Sequence, residues 1–436
     1  MTSDAPAHLI ARTREVGDVA SLLALLPADA PSRELCSWVR GGDGIVGWGR
    51  AAGIATCGES RFDDAETWWR HVTEDAEVDD EVGLVGTGLV AFGSFAYSPA
   101  SREESLLVVP RVILGRRDGR SFVTTISWSV GAHDDAEVPS SQPAPRSPGE
   151  VSFFDGALAG PAWQTAVAEA VRRIGEGDLD KVVLARDLVA EAEQPIDPRY
   201  LLRWLADAYA NTWVFSVDGL LGATPEMLVR LERGLVTSRV LAGTIRRTGD
   251  DERDLALAAS LARSSKDLEE HEYAVASVAD VIARYCTSVN TPETPFVLHL
   301  PNVMHLATDV AGRLTNGASS LTLARALHPS AAVCGTPKAH ADAVISELEH
   351  MDRGRYAGPV GWIDARGDGE WGIALRTGAL DPADPRRMRL FAGCGIVAGS
   401  DPAAELAESD AKLVPIRTAL ADPGRSERPG DRASRM

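Results

Sequence analysis

Glu405, Glu408 and Lys412 stand at i, i+3 and i+7 in a run of good helix formers, so all three side chains leave one face of a helix. A solvated charged face would show the same spacing. The segment just before it, Phe391-Ala392-Gly393-Cys394-Gly395-Ile396-Val397, is apolar and glycine-rich, and glycines in a buried strand let a ligand approach bare N–H groups. A second acidic cluster, Lys266-Asp267-Leu268-Glu269-Glu270-His271, opens another helical stretch, where acidic groups also suit the helix dipole without any ligand. If the two helices face each other, glutamates from separate elements can share a hard divalent cation. Oxygen donors with neither cysteine nor a compact histidine group favour Mg²⁺ or Mn²⁺ over zinc.

Two further residues suit proton transfer. Lys181 heads an apolar strand, where it either snorkels to water or, with a lowered pKa, takes up a proton. Glu226 follows Thr224-Pro225 directly ahead of another strand; it is either a turn residue or a carboxylic acid aimed by a rigid turn. An amine base and a carboxylic acid together are what a displacement with proton transfer at both ends requires.

These groups need elements to hold them. Trp163, Val167, Ala170, Val171 and Ile174 recur as one face of a helix that Gly175 and Gly177 stop. Short apolar runs at 181–189 and 213–217 read as strands, and those at 227–231 and 235–241 flank Glu232-Arg233-Gly234 as a hairpin. The runs 360–365 and 371–380, joined across Arg366-Gly367-Asp368-Gly369, read as a second hairpin. Helical periods cover 267–283, 339–350 and 403–420. Hairpins mixed with helices, and few strand-helix-strand crossovers, predict an α+β fold with antiparallel sheets. Residues 133–150 are crowded with Asp, Ser, Pro and Gly and read as an exposed loop, and residues 422–436 as a disordered tail.

The 436 residues can bury one large or two ordinary domains. With 44 basic against 63 acidic side chains, the net charge of −19 disfavours nucleic acid and anionic membranes as partners. Five scattered cysteines without a Cys-x-x-Cys pair fit reduced thiols. The start of the chain lacks the apolar core of a secretory signal, and no apolar run reaches the length of a membrane span, so a cytoplasmic protein is expected.

Taken in order, the segments resemble the chorismate-utilising enzymes. The motifs are Asp180-Lys181-Val182-Val183-Leu184-Ala185-Arg186, Gly222-Ala223-Thr224-Pro225-Glu226, Leu241-Ala242-Gly243-Thr244, the cluster at 266–271, and His305-Leu306. Leu327-His328-Pro329, Cys334-Gly335-Thr336-Pro337, Tyr356-Ala357-Gly358, Leu375-Arg376, Gly393-Cys394-Gly395-Ile396 and Glu405-Leu406-Ala407-Glu408 continue the series. The resemblance implies one large domain of antiparallel sheets with flanking helices: residues 1–150 form its variable N-terminal part, 151–421 the chorismate-binding core, and 422–436 the tail.

It also implies chorismate as substrate, Mg²⁺ as cofactor and no glutaminase subunit. Relatives that form a covalent adduct carry a lysine where this chain has Ala242, and ammonia-using relatives carry an Arg-Asn-Asp motif where it reads Val278-Ala279-Asp280-Val281. Lys181 is the base of the water-using branch, which forms isochorismate for menaquinone or a siderophore. Ala332, where salicylate synthases tend to carry threonine, favours isochorismate over salicylate as the product, although Ser330-Ala331 departs from the more usual Thr-Pro. On this resemblance Glu270 and Glu408 hold the metal, with Glu405 bound directly or through water, and Glu226 protonates the departing hydroxyl. Arg376, Tyr356, Lys412, the Gly243-Thr244 backbone and the N–H groups of Gly393 and Gly395 bind the anion. His305 either lines the pocket or is a buried structural histidine.

Overall fold

The computed structural model describes residues 7–130, 141–301 and 303–421, and within these every side chain except those of Lys266 and Glu270. The expected tail and residues 133–140 of the 133–150 segment fall outside that range; residues 141–149 have no regular structure. Helix Gly160–Gly175 starts with Pro161 and buries Trp163, Val167, Ala170 and Ile174, the stripe that a 3.6-residue period places on one face. Gly177, at φ +85°, follows its end.

Among the described residues the strands form two sheets, of 13 and 10 strands, paired antiparallel except where Leu9–Val16 runs parallel to Glu77–Asp80. The α+β class read from the hairpins is the observed one. The N-terminal part is woven into both sheets: Cys36–Arg40 lies in the larger and Val90–Ser94 in the smaller. One apolar cluster draws Trp38 and Phe215 from the larger sheet and Phe92 and Trp371 from the smaller. A second joins Leu188, Ala190 and Leu390 to Leu201 and Leu205 of helix Pro198–Ala208 and Leu413 and Ile416 of helix Pro402–Ala421. Burying these stripes, at about 25 cal/mol per Å² of apolar surface, holds the helices on the sheet. Among the described residues no helix is long and apolar enough to cross a membrane, and all five cysteines are free.

Two of the places where the chain passes between the sheets lie side by side. Strand Leu220–Thr224 belongs to the larger sheet and Met227–Glu232 to the smaller, so Pro225 and Glu226 make the crossing. Strand Gly369–Ile373 belongs to the smaller sheet and Thr377–Leu380 to the larger, and residues 374–376 cross back. This corrects the single strand expected over 371–380. The hairpin with Pro359–Asp364 is present, but the strand ends at Ile373 and Arg376 turns the chain at φ +52°. Gly369–Ile373 is buried on both faces, so no alternation marked its end.

Strand Lys181–Ala192 pairs along most of its length with Arg387–Ile396, and at its head with the short strand Gly335–Thr336, Lys181 opposite Thr336 and Val182 opposite Gly335. Gly335 sits at φ +145°, and a Cβ there would lie 2.2 Å from the carbonyl oxygen of Lys181. Gly335→Ala should therefore destabilise the fold by at least about 2 kcal/mol in urea melts. Gly175→Ala, at a helix end with nothing within 4 Å of the new methyl, should be neutral or mildly stabilising.

Candidate active site

A cavity of about 220 Å³ opens at the seam where the two crossings run together. Lys181, Glu226, Gly243, Thr244, His305, Tyr356, Arg376, Gly393, Gly395, Glu405, Glu408 and Lys412 all line it. Glu270 lies on the adjoining helix Ser265–Ile282, and its side chain is outside the described residues.

Glu226 is buried at the crossing; its N–H donates to Thr224 Oγ1 at 3.3 Å and its carbonyl accepts from Ile373 N at 3.2 Å. Burial pushes its carboxyl up to about 8, against the opposing pull of Lys181, Arg376 and Lys412. It is therefore a neutral acid at pH 7, with a proton to give. Lys181 reaches the same cavity from the larger sheet.

The glycines present backbone. Val183 N donates to Cys334 O at 2.7 Å and Ala185 N to Glu349 Oε1 at 2.7 Å, so neither bonds to the strand residue opposite, which is Gly395 or Gly393. Those glycines are thus non-hydrogen-bonded positions of the antiparallel ladder, and their N–H and C=O groups turn to the other edge. Thr377–Leu380 pairs there only as far as Leu390, which leaves that edge open to the cavity. A Cβ on Gly393 would come within 3.2 Å of the Tyr356 hydroxyl. Tyr356 stacks on Phe391 at 4.9 Å, and burial pushes its phenol up to about 12, so it stays a donor.

Gly243, at φ +75°, marks a bulge in the pairing of Leu235–Arg246 with Val303–Leu314. The bulge turns Thr244 toward His305, and Thr244 Oγ1 lies 2.9 Å from His305 Nδ1. Burial holds His305 well below the usual histidine range and so neutral, and its Nε2 is buried without a partner among the described residues. Of the two readings of His305, the pocket-lining one fits its position. Burial lowers the Arg376 pKa, and among the described residues no carboxylate stands within ion-pair distance of its guanidinium. A half-buried guanidinium with no carboxylate at ion-pair distance among the described residues and an orphaned imidazole nitrogen suit an anionic, oxygen-rich guest.

Glu405 and Glu408 project from helix Pro402–Ala421 as their spacing predicts. Ser400 Oγ donates to Glu405 at 2.7 Å. Burial would raise the Glu408 carboxyl, but Lys412 beside it at 2.7 Å more than offsets that and keeps it ionised. Lys412 Nζ also donates to Gly393 O at 2.9 Å, so the ammonium expected on a substrate anion bridges helix and strand. A cysteine stands beside the expected carboxylate donors. Gly393 and Gly395 face the cavity, so Cys394 faces the helix, and its sulfur lies within 4.8 Å of donor oxygens of Glu405 and Glu408. Burial, then the two carboxylates, push that thiol far up, so it remains a protonated, poor ligand. The carboxylates still fit a hard divalent cation.

The sequence reading assigned no role to two charged cavity residues, Asp267 and Arg353. Asp267 was visible within the acidic cluster, and its Cβ would stand 3.3 Å from a Cβ on Gly243. Arg353 had only a Glu349–Arg353 spacing of i, i+4, which marks a pair but not its burial.

The family model of chorismate binding enzymes matches residues 3–421. The chain belongs to this family. The isochorismate synthase MenF of Bacillus subtilis is 32% identical over 407 residues, covering 86% of this chain and 85% of that protein. The salicylate biosynthesis isochorismate synthase of Pseudomonas aeruginosa is 34% identical over 400 residues, covering 86% of this chain and 82% of its own. MenF, the menaquinone-specific isochorismate synthase of Escherichia coli, superposes with a TM-score of 0.77 over 95% of both chains; at 24% identity it speaks for the fold alone.

The Glu226 carboxyl ties stability to pH. The folded group takes its proton near pH 8 and an unfolded glutamate near 4.5, so between these values the native protein holds a proton the unfolded chain has released. Its contribution is complete below about pH 4.5 and is lost as pH rises toward 8. Glu226→Gln should gain on the parent by up to about 1.4 kcal/mol per pH unit over that range in urea melts. Parallel stability curves for the two proteins would mean an ordinary carboxyl.

Proposed function

We propose that the chain is an isochorismate synthase that isomerises chorismate with Mg²⁺ bound. The observation that carries this most is the placing of Lys181 and Glu226, from separate elements, on one cavity in which burial holds the Glu226 proton up to about pH 8. The identity to isochorismate synthases along most of the chain supports the same reading.

Lys181, acting from its neutral form, takes a proton from water as the oxygen adds to the ring carbon next to the carboxylate-bearing one. The two ring double bonds shift, and Glu226 gives its proton to the hydroxyl leaving the far carbon. One water enters and one departs, so the change is an isomerisation. Both residues return to their starting forms by proton exchange with solvent. Arg376 suits the enolpyruvyl carboxylate, because a guanidinium can hold two oxygens at once. The Tyr356 hydroxyl and the N–H groups of Gly393 and Gly395 add donors. His305 Nε2 and the Gly243-Thr244 bulge form a further part of the cavity wall. Mg²⁺, when held by Glu408 and Glu270 with Glu405 direct or through water, supplies charge neutralisation at the ring carboxylate.

Incubated with chorismate and Mg²⁺, the protein should give isochorismate as its main product by chromatography, with salicylate at most a slow side product. Chelation should stop the reaction, and Mg²⁺ or Mn²⁺ should restore it; full restoration by zinc but not by Mg²⁺ would count against the carboxylate site. Ammonium salts should yield no anthranilate. Lys181→Ala should lower kcat by roughly 10²–10⁴ while chorismate still binds in calorimetry. Near-parental turnover in that folded variant would remove the base from Lys181.

A further inference from the structure

Glu349 and Arg353 have no part in the chemistry above, yet Arg353 lines the cavity. Their side chains are 1% and 3% exposed and joined at 2.5 and 2.9 Å. Replacing a buried ion pair with apolar groups is often neutral or stabilising, so holding the fold together is a weak reason for this one.

Its other hydrogen bonds suggest a better reason. The edge of strand Lys181–Ala192 away from Arg387–Ile396 is paired with Gly335–Thr336 at residues 181–182 and with Val151–Asp155 from Leu188 onward. Between these the ladder has a gap. Arg353 donates to Val183 O at 2.8 Å and Glu349 accepts from Ala185 N at 2.7 Å, so the pair takes the place of the missing strand. The same guanidinium donates to Val333 O at 2.8 Å, and it lies 4.3 Å from the centre of the Tyr97 ring. One buried fork thus joins the strand of Lys181 to the Ala332–Val333 wall, and both of those line the cavity.

We infer that Glu349 and Arg353 are positioning residues of the reaction, fixing the separation between Lys181 and the Ala332–Val333 wall and so the space left for a ring and its attacking water. This rests on the reading of the chain as an isochorismate synthase with Lys181 as base. Misplacing a reacting group by about 1 Å can cost on the order of 10²-fold in rate. Anion binding, which falls to Arg376 and the glycine edge, needs no such fork.

The test is steady-state kinetics on Arg353→Lys, which keeps the charge but not the fork, and on the double variant Glu349→Leu/Arg353→Met, which keeps volume without a buried charge. Circular dichroism and Tm establish folding. In each folded variant kcat should fall roughly 10- to 100-fold while KM stays within about three-fold. In a Lys181→Ala background, Arg353→Lys should cost less than about two-fold, because its effect passes through the lysine. Parental kcat in either folded variant, a loss confined to KM, or additive losses in the Lys181→Ala background would each overturn the inference. The parent protein run alongside separates the two levels: if it makes no isochorismate, the functional reading falls and this inference with it.

Discussion

Glu226 keeps its proton at neutral pH because its carboxyl is out of water, although Lys181, Arg376 and Lys412 all pull the other way. Coulomb attraction from cations would ordinarily make such a carboxyl a stronger acid. Desolvation wins because the residue sits where the chain passes from one sheet to the other, with the apolar cluster shared by both sheets behind it. A loop glutamate on the surface with the same neighbours would be ionised. The acid thus depends on the crossing, and the crossing on two sheets lying face to face.

The same seam accounts for anion binding by a protein with a net charge of −19. Surface carboxylates act weakly beyond a screening length of about 8 Å in physiological salt, whereas charges lining a partly enclosed cavity are screened much less. Arg376 stands there without a carboxylate at ion-pair distance among the described residues, while Lys412 is tied to Glu408 and to the Gly393 carbonyl. Burial alone would lower the Lys412 pKa, but the Glu408 carboxylate beside it raises it, so the ammonium persists. One cation is left open to a guest and the other holds helix Pro402–Ala421 against the glycine strand.

Part of this was legible in the sequence because Lys181 and Glu226 sit at strand starts, which turn residues announce. Thr224-Pro225 placed Glu226, and the glycines placed the open strand edge. Cys394 beside the carboxylates could have been read as well: if Gly393 and Gly395 face the site, strand alternation sends Cys394 to the helix that follows. Two features could not be read. The break at 374–376 is hidden because its strand is buried on both faces, so periodicity carries no sign of it. The place of Arg353 depends on a gap in a sheet edge whose three pieces lie far apart in the chain, at 151–155, 181–192 and 335–336.

Backbone conformation follows the same geography. Of the non-glycine residues at positive φ, Ala357 and Arg376 line the cavity, next to Tyr356 and at the second crossing. Each such residue costs on the order of 1 kcal/mol and persists only where its surroundings leave no alternative. At Arg376 they leave none: the chain must leave one sheet after Ile373 and enter the other at Thr377, and its carbonyl is already engaged by Ala223 N at 3.3 Å. Glycine would relieve the backbone there and remove the guanidinium. The strained arginine is therefore the result of asking one residue both to turn the chain between sheets and to carry a charge into the seam.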